Sequence, residues 1–377
     1  MSLNKLLLKY ANALDKTMNS IYKFNRFEQE EYINSFPEPK DDIQRSYYQY
    51  KCQMKLINPL IFIIINIISL PLSIFYLIKY RDVHDTQREV DAVFAHSTLP
   101  IKGLPDDIIN TYDRIERVKE HRIRIDKNDR SFLKSIFIEY PFSWHFWLKI
   151  IIKTGYYSYI IDTYHPRAVI SCSEYSFTSS AMTMFCNINN VKHLNVMHGE
   201  KLFFMRDSFF RFDKCYIWDE YYSGIFKSLR TEKKQFVAYN SNNNVFKGNY
   251  NIKYDYKYYL QDESHEVLIE INNRLKQLEL KGFNIAVRPH PAYSDMHEIK
   301  DIFNDIEIEN YKEVNIAESV LECKNVISLC STVLYQAYCS KVSVVIDDCT
   351  RRDDFLKLRE YGYIMLSKEH KLLSEIL

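Results

Sequence analysis

From residue 82 onward, short apolar runs alternate with longer segments whose apolar residues recur every three or four positions. Ala92-Val93-Phe94-Ala95, Ala168-Val169-Ile170-Ser171, His193-Leu194-Asn195-Val196-Met197 and Lys214-Cys215-Tyr216-Ile217-Trp218 have strand length and are largely apolar on both faces. Strands buried between two layers of helix read this way. Helix-length segments lie near 145–163, 176–188 and 219–229. The polar cluster Asn240-Ser241-Asn242-Asn243-Asn244, with Gly248 and Asn249 after it, marks a break. The theme then resumes. A strand at Tyr258-Tyr259-Leu260 leads to a helix over 264–280, where Val267, Leu268, Ile271, Leu275 and Leu278 follow a helical period and Gly282 supplies the stop. Further strands are Phe283–Val287, Asn325–Leu329 and Val342–Ile346. Two successive βαβ arrays predict an α/β protein with two Rossmann-like lobes facing a cleft. In such sheets ligands sit beyond the carboxyl ends of the strands. The expected divisions are a helical extension over 1–81, a first lobe over 82–238, a linker over 239–256 and a second lobe over 257–377.

The extension has its own pattern. Residues 1–55 are polar and aromatic with amphipathic spacing, as in Leu3, Leu6, Leu7 and Tyr10. Pro59 to Ile78 is almost wholly apolar, and about 20 such residues just span a bilayer. Asn66, Ser69, Pro71 and Ser73 interrupt the run, and Pro71 is expected to break or kink a helix. Three placements stay open: a hairpin that dips into or lies on the membrane surface, a true span, and a buried soluble element. Lys55, Lys79 and Arg81 flank both ends, so charge gives no orientation. The N-terminus shows no basic region followed by an apolar core and a cleavage site, so a secretory signal is not expected.

Composition narrows the functional classes. Lys plus Arg number 50 against 49 for Asp plus Glu, so no basic field argues for a nucleic-acid partner. The 7 glycines form neither a Walker loop nor a GxGxxG turn, which removes the commonest NTPase and dinucleotide-enzyme readings. The 8 cysteines are scattered, without a CxxC pair, and several sit in apolar runs, as expected of a reduced, cytosolic chain. Among the 30 tyrosines and 23 phenylalanines, some are expected to line a ligand groove, most to fill core and surface.

Three signatures fall where strands end. Met197-His198-Gly199-Glu200 follows a buried strand; Gly199 is suited to a tight turn and close backbone approach, and His198 and Glu200 to an acid/base pair. In Arg288-Pro289-His290-Pro291, two prolines hold an imidazole on an extended, rigid backbone, where it and the guanidinium suit a phosphate or carboxylate. Cys330-Ser331-Thr332 precedes a helical segment, so Ser331 and Thr332 either cap the helix or, with its first N–H groups, hold a phosphate. Glu174, just past the strand at 168–171, is a further strand-end carboxyl. Asp347 and Asp348 also end a strand, and are expected to cap a helix or pair with Arg351 or Arg352. Neither an Asp-x-Asp motif nor a His/Cys cluster at zinc spacing occurs, so no metal or other cofactor is expected.

The order His-Gly, then Arg-Pro-His-Pro, then Ser-Thr resembles bacterial GT-B transferases for capsule and lipopolysaccharide. These include sialyl-, polysialyl- and Kdo-transferases, which carry an HP motif and a later Ser/Thr pair. It is also similar to the glycerophosphotransferases of teichoic acid synthesis, with an HG motif in the first lobe and RPHP in the second. The resemblance covers about residues 165–350. It implies an inverting, metal-independent glycosyltransferase that takes a nucleotide-activated sugar, CMP-linked sialic acid or Kdo, to a surface-glycan acceptor at the cytoplasmic face of the membrane. By the same resemblance, Arg288, His290, Ser331 and Thr332 hold the donor, His290 helps the nucleotide leave, and His198 is the base of the glycerophosphotransferase pattern. The acidic pair before glycine used by sialyl- and polysialyltransferases is absent, so the base stays open among Glu174, His198 and Glu200. The alternatives are a CDP-polyol phosphotransferase and a non-catalytic partner in a polysaccharide assembly.

Overall fold

The structure, a computed structural model, describes residues 21–79, 88–95, 101–118, 122–197, 199–239, 245–248 and 250–377. The chain forms two compact units, one of Met1–His198 with Phe203–Tyr239, the other of Gly199–Leu202 with Asn240–Leu377.

In the first unit, helices α1 (Arg26–Asn34), α2 (Asp42–Leu56) and α3 (Pro59–Lys79) precede the sheet. Then come β1 (Ala92–Phe94), α4 (Asp106–Thr111), β2 (Ile115–Arg117), α5 (Lys127–Glu139), α6 (Trp144–Tyr164), β3 (Ala168–Ser171), α7 (Ser179–Ile188), β4 (Lys192–Val196), β5 (Lys214–Ile217), α8 (Glu220–Ser228) and β6 (Phe236–Ala238). The six strands are all parallel, in the order β2-β1-β3-β4-β5-β6. The order reverses between β1 and β3, and Glu174 lies just past β3 at that reversal.

The early helices are built into this unit rather than standing apart from it. Gln29 Oε1 accepts from the Met205 N–H (2.8 Å), and Ser46 Oγ from the Ala181 N–H (2.8 Å). Each helix starts on a polar cap: Asn25 and Glu28 form a capping box at α1, and Asp41 caps α2 through the Gln44 N–H. Helix α3 runs unbroken through Pro71, contrary to the expected break. On its buried face the Ser69 and Ser73 hydroxyls bond to the carbonyls of Ile65 and Ser69 (both 2.7 Å), and packing along α6 holds the two halves together.

The second unit contains β7 (Tyr254–Tyr259), α9 (His265–Leu280), β8 (Ile285–Arg288), α10 (Met296–Ile302), β9 (Glu307–Ile308), α11 (Ile316–Leu321), β10 (Cys323–Ser328), α12 (Thr332–Cys339), β11 (Ser343–Ile346), α13 (Arg352–Glu360), β12 (Lys371–Leu372) and α14 (Leu373–Ile376). β7 starts at Tyr254, inside the span expected as linker, because Tyr256, Tyr258 and Leu260 pack into the core of this unit. The helical period over 264–280 has its expected effect: Leu268, Ile271, Leu275 and Leu278 are buried in that core, each worth about 1.5–3 kcal/mol on transfer from water. Gly282 follows α9 with φ of +87°, and its N–H returns to the Glu279 carbonyl (2.8 Å). All strands are parallel, in the order β12-β11-β10-β7-β8-β9. Counted from β7, that is the doubly wound order 3-2-1-4-5-6 of dinucleotide-binding sheets, and its reversal lies between β7 and β10.

Candidate functional site

The carboxyl edge of the second sheet collects three of the residues singled out in the sequence. Register puts Tyr259 opposite Arg288, and the Ser328 hydroxyl donates to the Tyr259 carbonyl (2.9 Å), so the ends of β8, β7 and β10 lie level. β8 and β10 flank β7, so their tips stand about 10 Å apart at ordinary strand spacing, close enough to hold one phosphorylated ligand between them.

His290 lies two residues past β8. Its backbone N–H donates to Ser294 Oγ (2.8 Å), and its ring stacks on Tyr293 at 4.4 Å. Nδ1 accepts the Ala292 N–H (3.1 Å), which places the proton of the neutral ring on Nε2. Burial holds the imidazole pKa below its ordinary value, so the ring is a neutral Nε2–H donor. Such a donor binds a phosphate oxygen without carrying a charge of its own.

Ser331 and Thr332 open α12 beside the reversal. Ser331 is buried and extended, and its hydroxyl oxygen accepts the Val333 N–H (3.3 Å) as the helix cap. The cap uses an oxygen lone pair and leaves the hydroxyl proton to donate. Thr332 is exposed at the first helical position. The first N–H groups of a helix carry partial positive charge, a ready place for an anion. Arg351, just past β11, adds a cation: it lies close enough to Cys330 and to Glu263 to lower the pKa of both, against the larger upward push of burial. Its guanidinium bonds Asp354 (2.8 Å).

Arg288 does not share this edge with its motif partner. Its guanidinium turns inward to Glu309 Oε1 (2.5 Å) and the Val314 carbonyl (3.0 Å), and only 7% of its side chain is exposed. Glu309 also takes Lys257, fully buried on β7, and the Ser319 hydroxyl, while Tyr259 bonds Ser319 (2.8 Å). Burial alone would raise the Glu309 pKa, but Lys257, Ser319 and Arg288 hold it below its ordinary value. Arg288 is therefore a positioning residue that ties β8 to β9, in place of the donor ligand the motif suggested. The sequence carried one sign of this network: a lone lysine within the buried strand Tyr256-Lys257-Tyr258 demands a carboxylate.

Glu200 belongs to the second unit, beside Cys330. Its Oε1 is buried with no hydrogen-bond partner, and burial pushes the carboxyl pKa up to about 8. At neutral pH the group holds its proton. Among the described residues, nothing lies within 4 Å of where a Cβ at Gly199 would sit. His198 lies outside the described residues.

Glu174 is buried at the carboxyl edge of the first sheet. Its Oε2 accepts from Asn195 (3.2 Å) on β4, and its charge acts on Arg206. Two glutamines on α2, which sequence reasoning missed, hold this turn: Gln49 donates to the carbonyls of Glu174 and Arg206 (both 3.0 Å), and Gln53 to those of Tyr175 (2.8 Å) and Arg206 (3.0 Å). The other strand-end acids are structural. Asp347 accepts the Tyr258 hydroxyl (2.7 Å) and two backbone N–H groups, and Asp348 pairs with Arg352 (3.2 Å).

No family model and no curated protein matches the chain. Among solved structures it is similar to the wall teichoic acid polymerase TagF in complex with CDPG, at 13% identity, covering 86% of this chain and 85% of that one, TM-score 0.42. It is similar to the UDP-GlcNAc 2-epimerase of Neisseria meningitidis bound to UDP-GlcNAc, at 10% identity, 71% and 85% coverage, TM-score 0.41. A UDP-GlcNAc 2-epimerase from Methanocaldococcus jannaschii gives 14% identity, 75% and 94% coverage, TM-score 0.41. At these identities and scores no residue role is taken from them.

Proposed function

We propose that the protein is a transferase acting on a nucleotide-activated donor, whose phosphate sits at the carboxyl edge of the second sheet. The observation that carries this is the meeting of phosphate-binding chemistry at one topological reversal. The neutral His290 donor, the Ser331–Thr332 helix start and the Arg351 cation share the edge that the strand order makes the ligand crevice.

The donor we favour is a CMP-linked sugar, sialic acid or Kdo, transferred with inversion to a hydroxyl of a surface glycan without a metal. The acceptor oxygen bonds to the anomeric carbon as the bond from that carbon to the phosphate oxygen breaks, and CMP leaves with the electron pair. Glu200, protonated at neutral pH, hands its proton to the departing phosphate. The acceptor's hydroxyl gives up its proton to a general base as the new bond forms.

A CDP-polyol phosphotransferase is the second reading. It is favoured by His198-Gly199 together with Arg288-Pro289-His290-Pro291, and by the absence of an acidic pair before glycine. Here the acceptor attacks the distal phosphorus, and CMP again departs. Incubation with CMP-sialic acid and with CDP-glycerol, following CMP release, separates the two. Turnover of either donor is expected to vanish in His290→Ala with thermal stability unchanged. Release of nucleotide from neither donor, or full activity of His290→Ala, overturns the proposal.

A further inference from the structure

Helix α3 is laid along the first unit with an outer face that no described residue covers. Leu60, Ile61, Ile63, Ile64, Ile67, Ile68, Leu72, Ile74, Phe75 and Ile78 are each 40–71% exposed. Ten large apolar side chains on one helix go well beyond the isolated exposed hydrophobes of an ordinary monomer. The opposite face is small or polar and is fixed to the protein. Ile65, Ser69 and Ser73 are buried, and α3 packs along α6. Asn66 donates to the Phe142 carbonyl (2.9 Å) and accepts the His145 N–H (2.9 Å), while Ser69 Oγ meets His145 Nδ1 (3.3 Å). Near the other end, Arg130 of α5 donates to the Leu77 carbonyl (3.5 Å).

These contacts decide between the placements left open by hydropathy. The helix is about 31 Å long at 1.5 Å per residue, enough to span a bilayer. Spanning, however, would tear it from Asn66 to Leu77 off α5 and α6, or carry α6 with it. Helix α6 buries fourteen of its residues in the core of the unit and cannot follow. A buried soluble element is excluded by the exposed face.

Charge and composition identify what covers that face. No acidic residue occurs between Asp42 and Asp82, whereas Arg45, Lys51, Lys55, Lys79 and Arg81 do. Lys55 and Lys79 bracket the helix, with Lys79 Nζ 5.1 Å from the Phe75 ring, and the exposed Lys149 lies beside the α3–α6 contact. The face itself is aliphatic save for Phe75, with none of the Tyr, Trp, Met or Arg that mark the cores of protein interfaces. We infer that α3 is an in-plane anchor that seats the first unit on an anionic lipid surface, its outer face among the acyl chains and its lysines at the headgroups. This inference does not rest on the reading of the donor site.

Flotation of the full chain with vesicles of phosphatidylglycerol and phosphatidylcholine tests it. The chain is expected to float with the mixed vesicles and at least tenfold less with phosphatidylcholine alone or in high salt. The exposed triple variant Ile64→Asn, Ile68→Asn, Phe75→Asn is expected to stay folded, by circular dichroism, and to remain unbound. Single tryptophans at Leu60, Ile68 and Phe75 then report depth against brominated lipids. In-plane seating predicts that all three are quenched best by bromines near the headgroups. A chain that fails to float, or that dimerises through this face as judged by light scattering, overturns the inference. So does deeper quenching at Ile68 than at Leu60 and Phe75, which marks a span.

Discussion

Glu200 and Glu174 are both strand-end carboxyls, yet their surroundings give them different chemistry. Glu174 accepts from Asn195 and acts on Arg206, whereas burial pushes the Glu200 carboxyl up to a pKa of about 8. The sign for Glu200 follows from burial: the folded chain keeps a proton that the unfolded chain releases near 4.5. Stability therefore falls as pH rises from about 4.5 to about 8, and Glu200→Gln, which has no proton to lose, escapes that fall. Turnover that depends on Glu200 as proton donor should decline as pH rises through about 8. In Glu200→Gln it should be slower by about 10²–10⁴ and flat across that range. Parallel melting curves and rate profiles of the two proteins check both; an unchanged rate profile in the variant removes Glu200 from the chemistry. Spacing located Glu200, His290, Ser331 and Thr332, because strand ends are legible as the close of an apolar run. It did not show that Arg288 turns inward, since that depends on Glu309, a strand away and twenty-one residues later.

Between elements, the buried Lys257–Glu309–Arg288 cluster joins β7 and β8 to the residue that follows β9, with Ser319 of α11 bonded into it. It fixes the end of β8 from which His290 projects. Glu309→Gln leaves two cations buried without a counter-charge, a loss of about 3–5 kcal/mol. Because Glu309 has a lowered pKa in the folded chain, the stability it confers is present above the ordinary carboxyl range and lost as pH falls through the folded value. Denaturant titrations should thus separate wild type and variant widely at neutral pH and less in acid; equal midpoints at neutral pH would contradict the account. Elements with a long apolar period, such as α6 and α9, were legible within about two residues. Short or mixed ones were not: β2 and β6 have three residues each, and α5 carries charges through its length. The continuity of α3 through Pro71 is a tertiary effect, set by α6, and no local rule shows it.

At the scale of the whole molecule, two parallel sheets each place a reversal of strand order at one edge, with Glu174 at the first and the His290 and Ser331–Thr332 groups around the second. Alternation of strands and helices made both sheets legible. The integration of α1 and α2 into the first unit was not, because it runs through Gln29, Ser46, Gln49 and Gln53, polar residues with no distinctive spacing. The central claim is that a nucleotide phosphate occupies the edge of the second sheet between His290 and the start of α12. Calorimetric titration of CMP and CDP into the wild-type chain, into His290→Ala and into Thr332→Val tests it most directly. The account predicts one nucleotide per chain, bound about ten- to a hundredfold more weakly in His290→Ala, as loss of a hydrogen bond to a charged group requires, and more weakly also in Thr332→Val. Absence of binding to the wild type, or equal affinity in all three proteins, would contradict it.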